Sequence, residues 1–128
     1  MTIYYAQTSG TQQTNASQPT PIPGLSVTVP EGVGISALVI LNVPNPYAQG
    51  DNFPGGWFGL TVGNVALPIF ATFTYSNQVP QSTGRMPTTL VASVPLAEKA
   101  QTVTATWQGI RGSTVIIDSP ASLSAVVA

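Results

Sequence analysis

The chain contains no cysteine and no histidine, and its charge is confined to three cations and four acids in 128 residues. Without cysteine there are no disulfides, thiolate zinc sites or thiol nucleophiles. Without histidine the commonest general base and the commonest metal ligand are both missing. The acids Glu31, Asp51, Glu98 and Asp118 are scattered with no Asp-x-Asp spacing, so an oxygen-rich calcium site has too few carboxylates close together. The net charge of −1 gives nucleic acid or an anionic membrane nothing to bind, because both need clustered Lys and Arg. No apolar run approaches the roughly 20 residues that span a bilayer. The N-terminal "MTIYYAQTSG" lacks the basic and apolar regions of a signal peptide, so the cellular location is open and any export follows another route.

What is present is apolar: 43% of the residues are hydrophobic, and only 5% are charged against about 25% in an ordinary soluble domain. Weak colloidal repulsion of this kind favours association, and a homo-oligomer that buries part of the surface is the expected state. The length suits one domain over residues 1–128. Residues 1–23, rich in Thr, Gln, Ser and Pro, read equally as a flexible arm or an edge strand. Asn15-Ala16-Ser17 fits a glycosylation sequon, a short pattern frequent by chance.

After Gly24 the chain becomes short β-type runs punctuated by Gly, Pro and Asn: Leu25–Val29, Ile35–Val43, Trp57–Gly63, Val65–Tyr75, Thr88–Val94, Thr102–Gln108, Ser113–Asp118 and Ser122–Val127. Ile35–Val43 is nearly continuously apolar, as a strand covered on both sides would be. Pro68 within a run indicates a bulge or an edge position. "PLAEKA" is too short to hold a helix alone. Spacings of about ten residues predict an all-β sandwich or jelly roll.

Catalysis has little to work with. Ser82, Thr83, Ser113 and Ser119 have no histidine to activate them, and Lys99 lies in a polar turn. A two-carboxylate glycosidase would need a carboxyl with a raised pKa, and none of the four acids has such a context. The chain therefore reads as a non-enzyme without a cofactor. Binding of a neutral polyhydroxylated ligand fits better. Arg85 and Arg111 both precede apolar runs, each beside a small polar turn, and a guanidinium offers five donors in a rigid fork. Tyr47, Trp57 and Tyr75 lie near turns and could pack on a sugar ring, although core or edge packing is the commoner role of such rings. The arginines could equally bond loop carbonyls, and Asp118 could form an Asx-turn or a salt bridge.

The segments "VILNVPNPYAQGDNFPG", "FTYSNQVPQSTGRMP", "TLVAS", "IRGS" and "IDSPASLSA" closely resemble the bacterial TNF-like, fucose-binding lectins, the family typified by the N-terminal domain of a Burkholderia superlectin. The resemblance runs from about Ile22 to Val126 and is weakest in the N-terminal arm. It implies a TNF-like jelly-roll sandwich assembled as a homotrimer, with fucosylated oligosaccharides bound without calcium in clefts between subunits. Carried over by motif, Thr74, Tyr75, Arg85 and Arg111 line the fucose site, and the two arginines meet at the sugar. Tyr47, Ser82 and Thr83 complete the pocket across a subunit boundary, with the Ser82-Thr83-Gly84 turn holding Arg85. Asp118 and Ser119 lie at or next to the sugar.

Two positions depart from the family pattern. Trp57 stands where a tyrosine is expected, keeping a stacking surface without a hydroxyl. Phe70 stands where an acid is expected, which alters contacts to a second sugar. The chain also ends without a second lectin domain, as a stand-alone version would. The alternative reading is a structural or assembly jelly-roll subunit whose arginines are interface hydrogen-bonders.

Overall fold

The structure, a computed structural model, describes residues 1–76 and 84–128. The described residues form eleven strands: β1 (Thr2–Gln7), β2 (Gln12–Thr14), β3 (Thr20–Val29), β4 (Ser36–Val43), β5 (Tyr47–Gln49), β6 (Gly55–Val62), β7 (Val65–Thr74), β8 (Thr88–Pro95), β9 (Gln101–Ile110), β10 (Thr114–Ile117) and β11 (Ser122–Val127). Two four-stranded antiparallel sheets, ordered β1-β11-β4-β8 and β3-β9-β6-β7, form the layers of a jelly-roll sandwich, with a small β2-β10-β5 sheet beside them. No helix among the described residues is long and apolar enough to cross a membrane.

The core follows from the period-two geometry of strands. Val39, Leu41 and Val43 of β4, Leu123 and Ala125 of β11, Phe58 and Leu60 of β6, and Val103, Ala105 and Trp107 of β9 all point inward and are buried. Pro68 lies in the edge strand β7, where Gly59 pairs Phe70 but Thr61 pairs Ala66, leaving extra residues on the β7 side. A residue without an N–H is accommodated there because no ladder bond is asked of it.

One strand differs from its sequence pattern. In β4 only alternate residues are buried, while Leu38 is exposed and Ile40 half-buried on the outer face. Register places Ile3, Val126, Leu38 and Ser93 in one cross-strand row of that face, and Tyr5, Ser124, Ile40 and Val91 in the next. The following row, Gln7, Ser122, Asn42 and Thr89, is polar, with Thr89 Oγ1 donating to Asn42 Oδ1 at 3.2 Å. A single chain thus leaves the second apolar side of β4 uncovered.

Candidate functional site

Five segments meet at the end of the sandwich where β4 and β9 finish and β6 and β8 begin: residues 44–54, 74–76, 84–87, 110–113 and 118–119. Their hydrogen bonds divide into two groups, one around each arginine.

Arg111 occupies the turn between β9 and β10. Ser113 N–H donates to Ile110 O at 3.0 Å, and both central residues have positive φ, 52° at Arg111 and 74° at Gly112. This is the type I′ pattern, in which Asn-Gly is the favoured pair and a long side chain at the first position is strained. The turn is anchored by Ser113, whose fully buried hydroxyl donates to Ile110 O and accepts from Gly55 N–H at 3.0 Å. Ser113→Ala leaves the Gly55 N–H buried without its partner. The expected cost is about 1–3 kcal/mol in thermal or denaturant unfolding, with threonine restoring part of it.

The turn aims Arg111 at the loop before β6. Its Nη2 donates to Phe53 O at 2.6 Å and its Nε to Asn52 O and Phe53 O, each at 3.2 Å. Nη2 also donates to Thr74 Oγ1, which in turn donates to Phe53 O at 3.1 Å. Phe53 has a φ of 43° and precedes Pro54. Among the described residues, Arg111 and Phe53 are the two non-glycine residues with positive φ, and they are hydrogen-bonded to each other. Such backbone costs on the order of 1–3 kcal/mol per residue and tends to gather at functional sites. The Arg111 Nη1 amine has no described protein partner, so two donors of an exposed guanidinium remain for a ligand.

The second group surrounds Arg85. Its Nη1 and Nη2 bind Asp118 Oδ1 and Oδ2 at 2.7 and 3.0 Å, a bidentate pair, while Nη1 also donates to Asn45 O at 3.1 Å. The guanidinium carbon lies 4.2 Å from the centroid of the Tyr47 ring. The hydrogen bond to Asp118 holds the Arg85 pKa above its ordinary value, so the cation is permanent. Both bland readings of these residues are therefore realised: the arginines do bond loop carbonyls, and Asp118 does form a salt bridge.

Tyr75 joins the groups. It follows Thr74, its hydroxyl donates to Gly84 O beside Arg85, and its ring packs edge-on to Phe73 at 5.6 Å. Burial raises its pKa, with Arg85 opposing, so the phenol stays a neutral donor. Within one chain the described contacts do not bring the arginines to one point. Arg111 precedes β10 and Asp118 follows it, and a four-residue strand is roughly 13 Å long. Ser119 is half-buried in the bend after Asp118. Ser82 and Thr83 lie outside the described residues.

Trp57 stands one cross-strand row away from Thr74, since Gly55 pairs Thr74 while Trp57 pairs Thr72. Its indole lies across Gly59, where an added Cβ would overlap the ring, and it stacks on Phe70 with centroids 6.0 Å apart and planes 23° apart. An open cleft of about 460 Å³ lined by Val62, Ala97, Lys99 and Thr102 lies at the opposite end of the sandwich. Among the described residues no three His, Cys, Asp or Glu side chains converge to hold a metal ion.

Asn45, Asn52 and Phe53 escape a reading of side-chain types because they act through backbone carbonyls. Arg-Gly between two strands was the available signal for the strained turn.

The sequence signature described as "Bc2l-C, N-terminal domain" matches residues 5–126. The chain belongs to this family. Its fold is TNF-like: it is similar to the solved structure of Eiger TNF from S. frugiperda, with a TM-score of 0.52 at 13% identity, covering 98% of this chain and 92% of that one. Similarity to dimeric latent PorU from Porphyromonas gingivalis, with a TM-score of 0.49 at 15% identity, covers 95% of this chain but 13% of that longer one. No curated protein sequence matches significantly.

Proposed function

We propose that this TNF-like lectin domain recognises fucosylated glycans, without a metal ion and without turnover, at sites completed between the subunits of a homotrimer. The observation that carries the reading is the Arg111–Phe53 pair, two left-handed residues that hold an exposed guanidinium whose Nη1 amine meets no acceptor among the described residues. A fold that needed only a tight turn would be better served by asparagine or glycine at position 111. The second group, Tyr47 and Arg85 braced by Asp118, supplies the complementary half from a neighbouring subunit. This arrangement reconciles arginines that are apart in one chain with a shared sugar. The uncovered face of β1, β11, β4 and β8, with Ile3, Tyr5, Leu38 and Val91 exposed, offers the surface for assembly.

Each hydroxyl exchanges water for protein partners at a modest net gain, ~0.5–1.5 kcal/mol for a neutral group and ~1.5–3 kcal/mol for a guanidinium, and association itself costs several kcal/mol, so a single site is weak. Three sites on one particle gain through effective concentration. The test is a fucosylated-glycan array probed in calcium and again in EDTA. Binding to fucosides that persists in EDTA is expected. Silence on every fucoside from folded, trimeric protein would favour the rival reading of an assembly subunit whose arginines serve only the loops.

A further inference from the structure

Residues 8–16 of the N-terminal arm run alongside β10 and are bonded beyond both of its ends. Before β10, Gly109 N–H donates to Ala16 O at 2.9 Å. After β10, Thr8 N–H donates to Ala121 O and Ala121 N–H donates to Thr8 Oγ1, each at 2.9 Å, and Thr8 is buried. Between these ties β2 pairs antiparallel with β10, setting Gln12 opposite Ile117 and Thr14 opposite Val115. The segment is a strap. It spans the stretch that carries Arg111 at one end and Asp118, the partner of Arg85, at the other.

Local chemistry shapes the strap at both ends of β2. Thr14 Oγ1 accepts from Ala16 N–H at 3.2 Å, an ST-turn that presents the Ala16 carbonyl to Gly109. Gln12 Nε2 donates to Ser9 O at 2.9 Å and Gly10 takes a φ of 67°, which closes the bend before β2. Gly109 in turn has no room for a side chain, because a Cβ there would lie 1.9 Å from Ser113 O. The returning limb of the Arg111 turn is therefore pressed against the very residue that the strap holds. Without β2 the small sheet falls to β10 and β5, joined over three residue pairs, and a two-stranded ribbon that short is marginal in water.

We infer that the strap positions the Arg111 guanidinium, with Thr14, Ala16 and Gly109 as positioning residues that act through the backbone of the β9–β10 turn. Arg111 and Gly112 are both left-handed, so the turn has a strained conformation to lose. A turn released from Gly109 relaxes from the φ of 52° and carries the guanidinium away from Phe53 O. The ligand in this inference comes from the proposed fucose reading, on which its binding test rests. The consequence is that the arm, where the family resemblance is weakest, sets how far the arginine is pre-organised. Affinity then changes with the sequence of residues 8–16 even when every side chain at the sugar stays the same.

The test uses the full chain as wild type, Thr14→Val, Thr14→Ser and Gly109→Ala. One readout is affinity for methyl α-L-fucoside by calorimetry, well below the melting temperature. The other is hydrogen exchange of the Arg111 Nε–H by NMR, its resonance identified by its loss in Arg111→Asn. Valine keeps the branched shape at position 14 and removes the acceptor for Ala16 N–H. Thr14→Val should lose about 3- to 10-fold in affinity and exchange the Nε–H faster, while Thr14→Ser stays near wild type. Gly109→Ala should lose about 10-fold or more with Arg111 itself intact. Unchanged affinity and unchanged Nε–H exchange in Thr14→Val, whatever its melting temperature, would make the strap a structural support only and overturn the inference, even if Gly109→Ala fails to fold. A wild type that binds no fucoside overturns the fucose reading. The Nε–H exchange of Thr14→Val then decides the strap alone, faster exchange upholding it and unchanged exchange overturning it.

Discussion

Replacing Arg111 with asparagine is expected to lower affinity for fucosylated ligands by about 100-fold or more while leaving the protein folded. Hydrogen bonds to a charged group contribute roughly 1.5–3 kcal/mol each, and the Nη1 amine offers two donors to a ligand. Losing both removes about 3 kcal/mol or more, which is at least two decades in affinity. Asparagine is a better probe than alanine because it tolerates the φ of 52° at this position. The relief of backbone strain then offsets part of the lost bonds to Asn52 O and Phe53 O. Arg111→Lys should fail nearly as badly, since an ammonium cannot hold the Phe53 carbonyl and a ligand in one planar fork. Glycan binding and a melting curve measured on the same preparation decide the matter. Asparagine-substituted protein that binds at wild-type strength would show that the guanidinium serves only the loop and would move the site elsewhere.

Charge placed on the outer face of β4 should have an equally large effect on assembly. Leu38 is exposed in a single chain, flanked by Val126 and Ser93 across the sheet. In a monomer, aspartate at this position costs little. In a trimer it buries three unpaired carboxylates, each at a cost of several kcal/mol. Leu38→Asp is therefore expected to sediment as a folded monomer, in contrast to the trimer proposed for the wild type. Agglutination of fucose-bearing cells should disappear with it, because linked sites contribute about 10²–10⁴ in avidity. A Leu38→Asp protein of unchanged mass would exclude this face as the interface and leave its apolar rows unexplained.

The strands from β3 onward were largely legible because alternation and Gly/Pro punctuation are local. Val65–Tyr75 was read as one run with an anomaly at Pro68, and both an edge position and a bulge coincide there. The β1–β11 pairing was not legible, since Thr2–Gln7 meets Ser122–Val127 across the whole chain and neither segment's pattern names its partner. The three-residue strands β2 and β5 carry too few residues for any period. At the site, the arginines drew attention through rarity alone. Their acceptors did not, because a carbonyl on Phe53 or Asn45 looks the same in every residue. The contact between Trp57 and Phe70 required a register that the Pro68 bulge shifts.

The pairing of Thr2 with Val127 also fixes where the two termini leave the molecule. They emerge side by side, next to Ser36 and Pro95, at the end of the sandwich farthest from Arg85 and Arg111. A tether fused to either terminus departs away from the end that carries the proposed glycan site. Such a tether could mount the domain on a bead, a surface or a second binding module with the arginines directed outward, whichever terminus carried it.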